Sequence, residues 1–220
     1  MAETVRWSPE ELRARLSRPG PDVAPDLLGW RISHSNSEGT VTVELTEVEA
    51  YAGRADPASH AFHGSTNRNK VMFGSAGKLY VYFSYGVHWC ANIVAGVEGE
   101  ASAVLLRAGR VVAGVELARE RRGSKVADRA LARGPACLTQ ALGISAAHDG
   151  VDLVIDARLR LQPPISGFST LHTTSDDARV ASGPRVGVSR AADVSWRFWL
   201  RGDETVSSYK RSNRAPRPTK

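Results

Sequence analysis

The residues able to do chemistry are concentrated between Glu47 and Asn92, less than a quarter of the chain. That stretch holds four of the five tyrosines (Tyr51, Tyr80, Tyr82, Tyr85) and three of the six histidines (His60, His63, His88). A core alone would spread its aromatics more evenly, so this concentration describes a pocket with flat walls. Two carboxylates, Glu47 and Glu49, lie two residues apart in EVEAY at 47–51. The run GTVTVELTEVEAY at 39–51 alternates, with Val41, Val43 and Leu45 on one face, and the same parity carries both glutamates toward the core. A carboxylate in that position must be paired, protonated or held at a pocket mouth, because burying it alone is costly. If the alternation fails at the strand end, both glutamates face water instead. Arg107, in the apolar run ASAVLLRAGRV at 101–111, needs a carboxylate or a phosphate as its partner.

His60 and His63 sit at i, i+3, and with His88 and Cys90 they make a conceivable four-ligand metal set. No pair among them has the close C-x-x-C spacing that marks a zinc site, so no metal is expected. The histidines serve equally well as hydrogen-bonding partners of a ligand or as loop caps.

Positioning these residues falls to the elements around them. LYVYF at 79–83 alternates, with Tyr80 and Tyr82 on one face. SYG at 84–86 reads as a turn and VHWCANIV at 87–94 as a second strand, so 79–94 is a hairpin with Tyr85 at or near its tip. An exposed tyrosine at a tip is placed for insertion into a partner; the alternative is that it covers a neighbouring strand. SPEELRARLS at 8–17 is a helix with Ser8 as N-cap, Pro9 at N1 and Glu11 completing a capping box. The Pro-rich segment 19–25 ends it, and Leu27, Leu28 and Trp30 start the sheet. Helices follow over 112–123, closed by Gly123, and 132–144, with Pro135 near N1 and Gly143 at C′. The runs at 151–155, 184–188 and 196–200 read as further strands. Short strands mixed with a few helices imply a single α+β domain.

At 220 residues and a net charge of +6, the chain is large enough for one sizeable core. Lys210, Arg211, Arg214, Arg217 and Lys220 lie in the last eleven residues without an acid, and removing them leaves +1. Residues 1–205 are therefore expected to form one domain and 206–220 a disordered basic tail, either a solvated end or a polyanion contact. Cys90 and Cys137 lie in apolar surroundings and are expected reduced and buried. The chain carries no membrane-span or signal-peptide pattern and is expected to be cytoplasmic.

EVEAY at 47–51, His60, RNKVMF at 68–73, LYVYFSYGVHWCANIV at 79–94, LLRA at 105–108, GPACLTQALGI at 134–144 and GPRVGV at 183–188 resemble, in order, the blocks of the alkyladenine (3-methyladenine) DNA glycosylase family. The resemblance runs from near residue 28 to about 202. It implies a compact domain with a curved antiparallel sheet, flanking helices and a protruding β-hairpin. The implied activity is hydrolysis of the N-glycosidic bond of alkylated or deaminated purines in double-stranded DNA, after base flipping, by a monomer without metal or cofactor. Carried over by motif, Glu49 is the general base, and Arg107 and the main-chain carbonyl of Val186 help hold the attacking water. Tyr51, His60 and Tyr82 sandwich the extruded base, Asn92 lies at the pocket floor, and Tyr85 fills the gap in the base stack. The EAY match favours Glu49 over Glu47, which spacing alone leaves interchangeable. The resemblance gives Lys70 and Lys78 no role as an amine nucleophile, which implies a monofunctional enzyme. Two other readings are a non-catalytic binder of damaged or distorted DNA, and a metal-dependent hydrolase built on His60, His63, His88 and Cys90.

Overall fold

The sheet is arranged about one long strand, β2 (Gly39–Tyr51). The computed structural model describes residues 7–84, 86–164 and 179–216. One edge of β2 pairs with β5 (Ser102–Ala113). The other edge is shared: β1 (Arg31–Asn36) takes residues 39–44, and β8 (Arg197–Leu200) takes Glu47–Glu49. Strand order is β3 (Leu79–Ser84), β4 (His88–Ala95), β5, β2, β1, β6 (Leu159–Gln162), with β7 (Val180–Gly183) attached to β8. Pairing between the named strands is antiparallel throughout. With helices α1 (Pro9–Leu16), α2 (Gly20–Val23), α3 (Val115–Arg122) and α4 (Pro135–Leu142), the chain is one α+β domain around an open antiparallel sheet.

Two irregularities at the centre of the sheet decide which side chains face which way. Leu45 opposes Gly109, Glu47 opposes Ala108 and Val48 opposes Leu106, so Thr46 on β2 and Arg107 on β5 have no cross-strand counterpart. An extra residue in a strand turns everything beyond it to the other face. Val41, Val43 and Leu45 belong to the main core, and beyond the bulge Val48 and Ala50 do. The expectation that Glu47 and Glu49 continue the core-facing parity is therefore corrected: the bulge sends both to the opposite face. They are nonetheless fully buried, because that face is covered as well.

The main core lies between the helices and one face of the sheet, where Leu12, Leu16, Leu138 and Leu142 meet Leu79, Ile93, Val104 and Leu106. The opposite face carries a smaller cluster, in which Tyr80, Val94 and Ala103 pack with Ala61 and Met72 from the segment between β2 and β3. Helix α1 starts as expected: the Ser8 hydroxyl accepts from the Glu11 amide (3.2 Å) and the Glu11 carboxylate from the Ser8 amide (2.7 Å). Gly143, at φ 71°, ends α4 in the left-handed conformation that glycine adopts without strain. The β3–β4 hairpin is present, with Phe83 and Val87 exposed near its turn. Tyr85 lies outside the described residues.

Other expectations are corrected. Leu27, Leu28 and Trp30 are buried, but the sheet begins only at Arg31. Residues 151–155 contribute one bridge, Lys78 to Asp152, and no strand. Residues 184–188 form a loop, while the strand ends at Gly183. β6 was not foreseen, because four residues are too few to establish a period. Cys90 and Cys137 are both free, but Cys137 is only half-buried, its sulfur taking a hydrogen bond from Arg122. Within 206–220, residues 207–211 are held rather than trailing: Ser207 hydrogen-bonds Glu47, the Lys210 carbonyl accepts from the Gly187 amide, and Arg211 pairs with Asp193. Among the described residues no helix is long and apolar enough to cross a membrane.

Candidate active site

Register across four strands lays out one row of side chains on the face away from the main core. Tyr80 opposes Asn92, Asn92 opposes Leu105, and Leu105 opposes Glu49. At about 4.8 Å per strand, the row spans roughly 14 Å. These residues line one cleft of about 800 Å³ together with Tyr51, His60, Tyr82, Arg107 and Val186. Clefts of this size accept a small planar ligand with its flanking groups.

Glu49 and Glu47 share a face but not a fate. Glu47 Oε1 accepts from Arg107 Nε (2.8 Å), Arg197 Nε (2.7 Å) and the Ser207 hydroxyl (2.9 Å), and Oε2 accepts from the Ser207 amide (2.7 Å). Burial raises its carboxyl, but Arg107, Arg197 and Ser207 outweigh that and hold it below the ordinary value. Glu49 Oε1 accepts from the Val186 amide (2.6 Å) and lies 3.4 Å from Arg107 Nη1, and its Oε2 accepts from the Tyr51 hydroxyl (2.9 Å). Here burial wins, and the Glu49 carboxyl is pushed above the ordinary value despite Arg107 and Val186. Glu49 lines the cleft and Glu47 does not. Arg107, the bulged residue of β5, thus bridges both carboxylates. Val186 reaches Glu49 through its amide, a contact separate from the carbonyl role implied by the resemblance.

The aromatic walls are built by alternation and by one loop. Tyr80 and Tyr82 stack at 5.5 Å with 27° between their planes. His60 meets Tyr82 edge-on (4.6 Å, 80°), and its Nδ1 is 3.2 Å from the Tyr80 hydroxyl. A planar base between two rings needs roughly 7 Å between their planes. His60 and Tyr82 therefore form one wall together and do not face each other across a gap. Burial, reinforced by Arg68, lowers the His60 pKa, so the ring is neutral near pH 7. Burial pushes the Tyr80 phenol up to about 12 and Tyr82 higher still, so both stay protonated. The loop carrying His60 is shaped by Asn69, whose amide donates to the carbonyls of His60 (2.9 Å) and Gly64 (3.0 Å). Asn92 is buried and donates to the Tyr80 carbonyl (3.2 Å).

All the expected pocket residues except Tyr85 are thus in one place. Sequence reading missed Tyr80 as a wall, although LYVYF places it on the face of Tyr82. It also missed Arg197, Ser207 and Arg185, which no local spacing marks. Of the proposed metal set, His60, His63 and Cys90 line the cleft and the exposed His88 does not. Among the described residues no three His, Cys, Asp or Glu side chains come close enough to hold a metal.

Comparison with known proteins joins this geometry to a family. A family model described as methylpurine-DNA glycosylase matches residues 14–204. A relative from Leifsonia xyli is 48% identical over 212 residues, covering 89% of this chain and 94% of its own. One from Streptomyces avermitilis is 48% identical over 201 residues, covering 90% and 91%. One from Mycobacterium tuberculosis is 48% identical over 184 residues, covering 80% and 84%. Each is provisionally named a 3-methyladenine DNA glycosylase. With the match running from α1 past β8, this chain belongs to the methylpurine-DNA glycosylase family and is a DNA glycosylase.

Proposed function

We propose that the chain is a monofunctional glycosylase that turns a damaged purine nucleotide out of duplex DNA and hydrolyses its N-glycosidic bond, with Glu49 as general base. The observation that carries this reading is the division between the two glutamates. Glu47 is saturated by two guanidiniums and Ser207, whereas Glu49 lines the cleft with a pKa raised by burial. A carboxylate whose pKa is raised is the stronger base once ionised. Glu49 takes a proton from water, the water oxygen bonds to C1′, and the C1′–N bond breaks as the base leaves. Arg107 favours the ionised form of Glu49 against the effect of burial and orients the water with the Val186 carbonyl, while the Val186 amide fixes the carboxylate. The same carboxylate offsets positive charge developing on the sugar.

The extruded base stacks between Tyr51 on one side and the His60–Tyr82 wall on the other, with Asn92 at the floor excluding the exocyclic amino group of guanine. Tyr85 enters the stack behind it, offsetting part of the few kcal/mol that extrusion costs. No lysine lines the cleft among the described residues, which supports hydrolysis by water rather than by an amine. The names of the relatives favour 3-methyladenine. Other alkylated purines, hypoxanthine and ethenoadenine fit the same walls. The enzyme acts as a cytoplasmic monomer on double-stranded DNA.

Single-turnover base release from duplexes carrying one such purine, followed by alkaline strand cleavage, tests this. Wild type should give strand breaks only after alkali, and Glu49→Gln none. Lesion-selective binding without release by wild type would identify a binding protein instead.

A further inference from the structure

Behind Tyr51 lies an ion pair that the reaction does not use. Arg185 and Asp56 are both fully buried at the side chain. Arg185 Nη1 donates to Asp56 Oδ2 (2.5 Å) and the Ala50 carbonyl (3.0 Å), and Nη2 donates to Asp56 Oδ1 (2.9 Å). The Arg185 Nε is buried without a partner among the described residues. The guanidinium lies 4.7 Å from the centroid of the Tyr51 ring and 5.2 Å from that of Trp196. Tyr51 lines the cleft and Arg185 does not, which sets the guanidinium against the ring from outside the cleft lining. Asp56, in turn, accepts from the amides of Ala52 (3.3 Å) and Ala58 (3.0 Å), fixing the loop that leads to His60.

A buried, incompletely satisfied charge pair is a poor choice if only stability is at stake, because apolar residues of similar volume do as well or better. What it provides here is a fixed positive charge against a stacking wall. A cation drawn to one face of an aromatic ring polarises the ring toward itself and leaves less negative potential on the other face. Asp56 accepts from both Nη atoms on the guanidinium's hydrogen-bonding edge and offsets part of its charge there.

We propose that the Arg185–Asp56 pair is a specificity-determining element that weakens the cleft's attraction for positively charged alkylated purines relative to neutral deaminated ones. It acts through Tyr51 and is a positioning pair, not a catalytic one. The inference rests on the glycosylase reading above, with Tyr51 as a base-stacking wall.

The test is the ratio of single-turnover release rates for cationic 3-methyladenine and neutral hypoxanthine, neither of which carries a 2-amino group, in matched duplexes. Asp56→Asn, nearly isosteric, leaves Arg185 uncompensated and should lower the cationic-to-neutral ratio. The double variant Asp56→Asn with Arg185→Gln removes both charges and should raise it by about two- to fivefold, the scale of one cation–π contact. Arg185→Lys keeps the charge and should hold the ratio within about twofold of wild type. A clamp that only holds loops would slow both substrates together and leave the ratio unmoved in every folded variant, which overturns the proposal. If the double variant does not fold, as judged by its thermal melt, the ratio for Asp56→Asn decides alone. Wild type releasing neither base would sink the glycosylase reading itself, an outcome distinct from an unmoved ratio.

Discussion

At the scale of residues, two glutamates of the same strand are driven in opposite directions. Arg107 and Arg197 keep Glu47 ionised, whereas burial makes ionisation of Glu49 unfavourable. For Glu49, a folded pKa above the unfolded value means the stabilising contribution is full below about pH 4.5 and is lost as pH rises through the folded pKa. For Glu47 the sign reverses: its contribution is present above that pH and is lost as pH falls through its depressed folded pKa. Glu49→Gln should therefore abolish base release yet melt no lower than wild type at pH 7, with a gain on the order of 1 kcal/mol. Glu47→Gln should destabilise by about 3–5 kcal/mol, because it leaves two guanidiniums against a neutral amide. Thermal melts of both variants at pH 5 and pH 8 check the signs, and equal destabilisation by the two substitutions would refute the division of roles. Base release by wild type should also rise with pH up to a plateau set by Glu49, at a pH above the ordinary carboxylate range.

At the scale of elements, the bulges at Thr46 and Arg107 make the site possible. Without them Glu49 would point among Val48's core neighbours, and Arg107 could not reach both carboxylates. The turn of β5 back onto its regular ladder uses Gly109, where an added Cβ would come within 2.4 Å of both the Glu44 carbonyl and the Val43 side chain. Gly109→Ala should cost about 1–3 kcal/mol, read as a shift in the urea midpoint, by forcing β2 and β5 apart. The segment after β8 acts as part of this unit, since Ser207 supplies two of the hydrogen bonds to Glu47. Truncation after residue 205 should then destabilise by about 3 kcal/mol or more, whereas truncation after 211 leaves the melting temperature near that of wild type.

At the scale of the whole molecule, the basic end of the chain begins beside the cleft. The Lys210 carbonyl accepts from Gly187, next to Val188 and Arg190 on the cleft rim. A net charge of +6 is carried largely by residues from 210 onward, and the first of them, Lys210, is held beside the cleft. Deleting 212–220, which removes Arg214, Arg217 and Lys220, should make the dependence of log K on log salt shallower by about 0.9 for each phosphate no longer neutralised. Measured binding to an undamaged duplex at several salt concentrations gives the slope, and an unchanged slope would mark the tail as merely solvated.

Much of this was legible in order along the chain. Alternation marked β2 and the β3–β4 hairpin, the capping box marked the start of α1, and the EVEAY, LYVYFSYGVHWCANIV and GPRVGV blocks pointed to the family and its pocket. These features are local, because a strand period, a cap or a motif is written within a dozen residues. The EAY match already favoured Glu49 over Glu47, but the physical difference between the two glutamates is not local. It depends on Arg197 and Ser207, which lie 150 and 160 residues beyond Glu47, and on a bulge that reverses the parity from which the strand was read. Periodicity assumes an unbroken ladder, and a single inserted residue inverts its answer. The sequence by itself therefore determined what the pocket is made of. Only the tertiary structure decided which carboxylate is neutralised as scaffold and which is left in the cleft, because the charges that settle the matter meet only when the chain is folded.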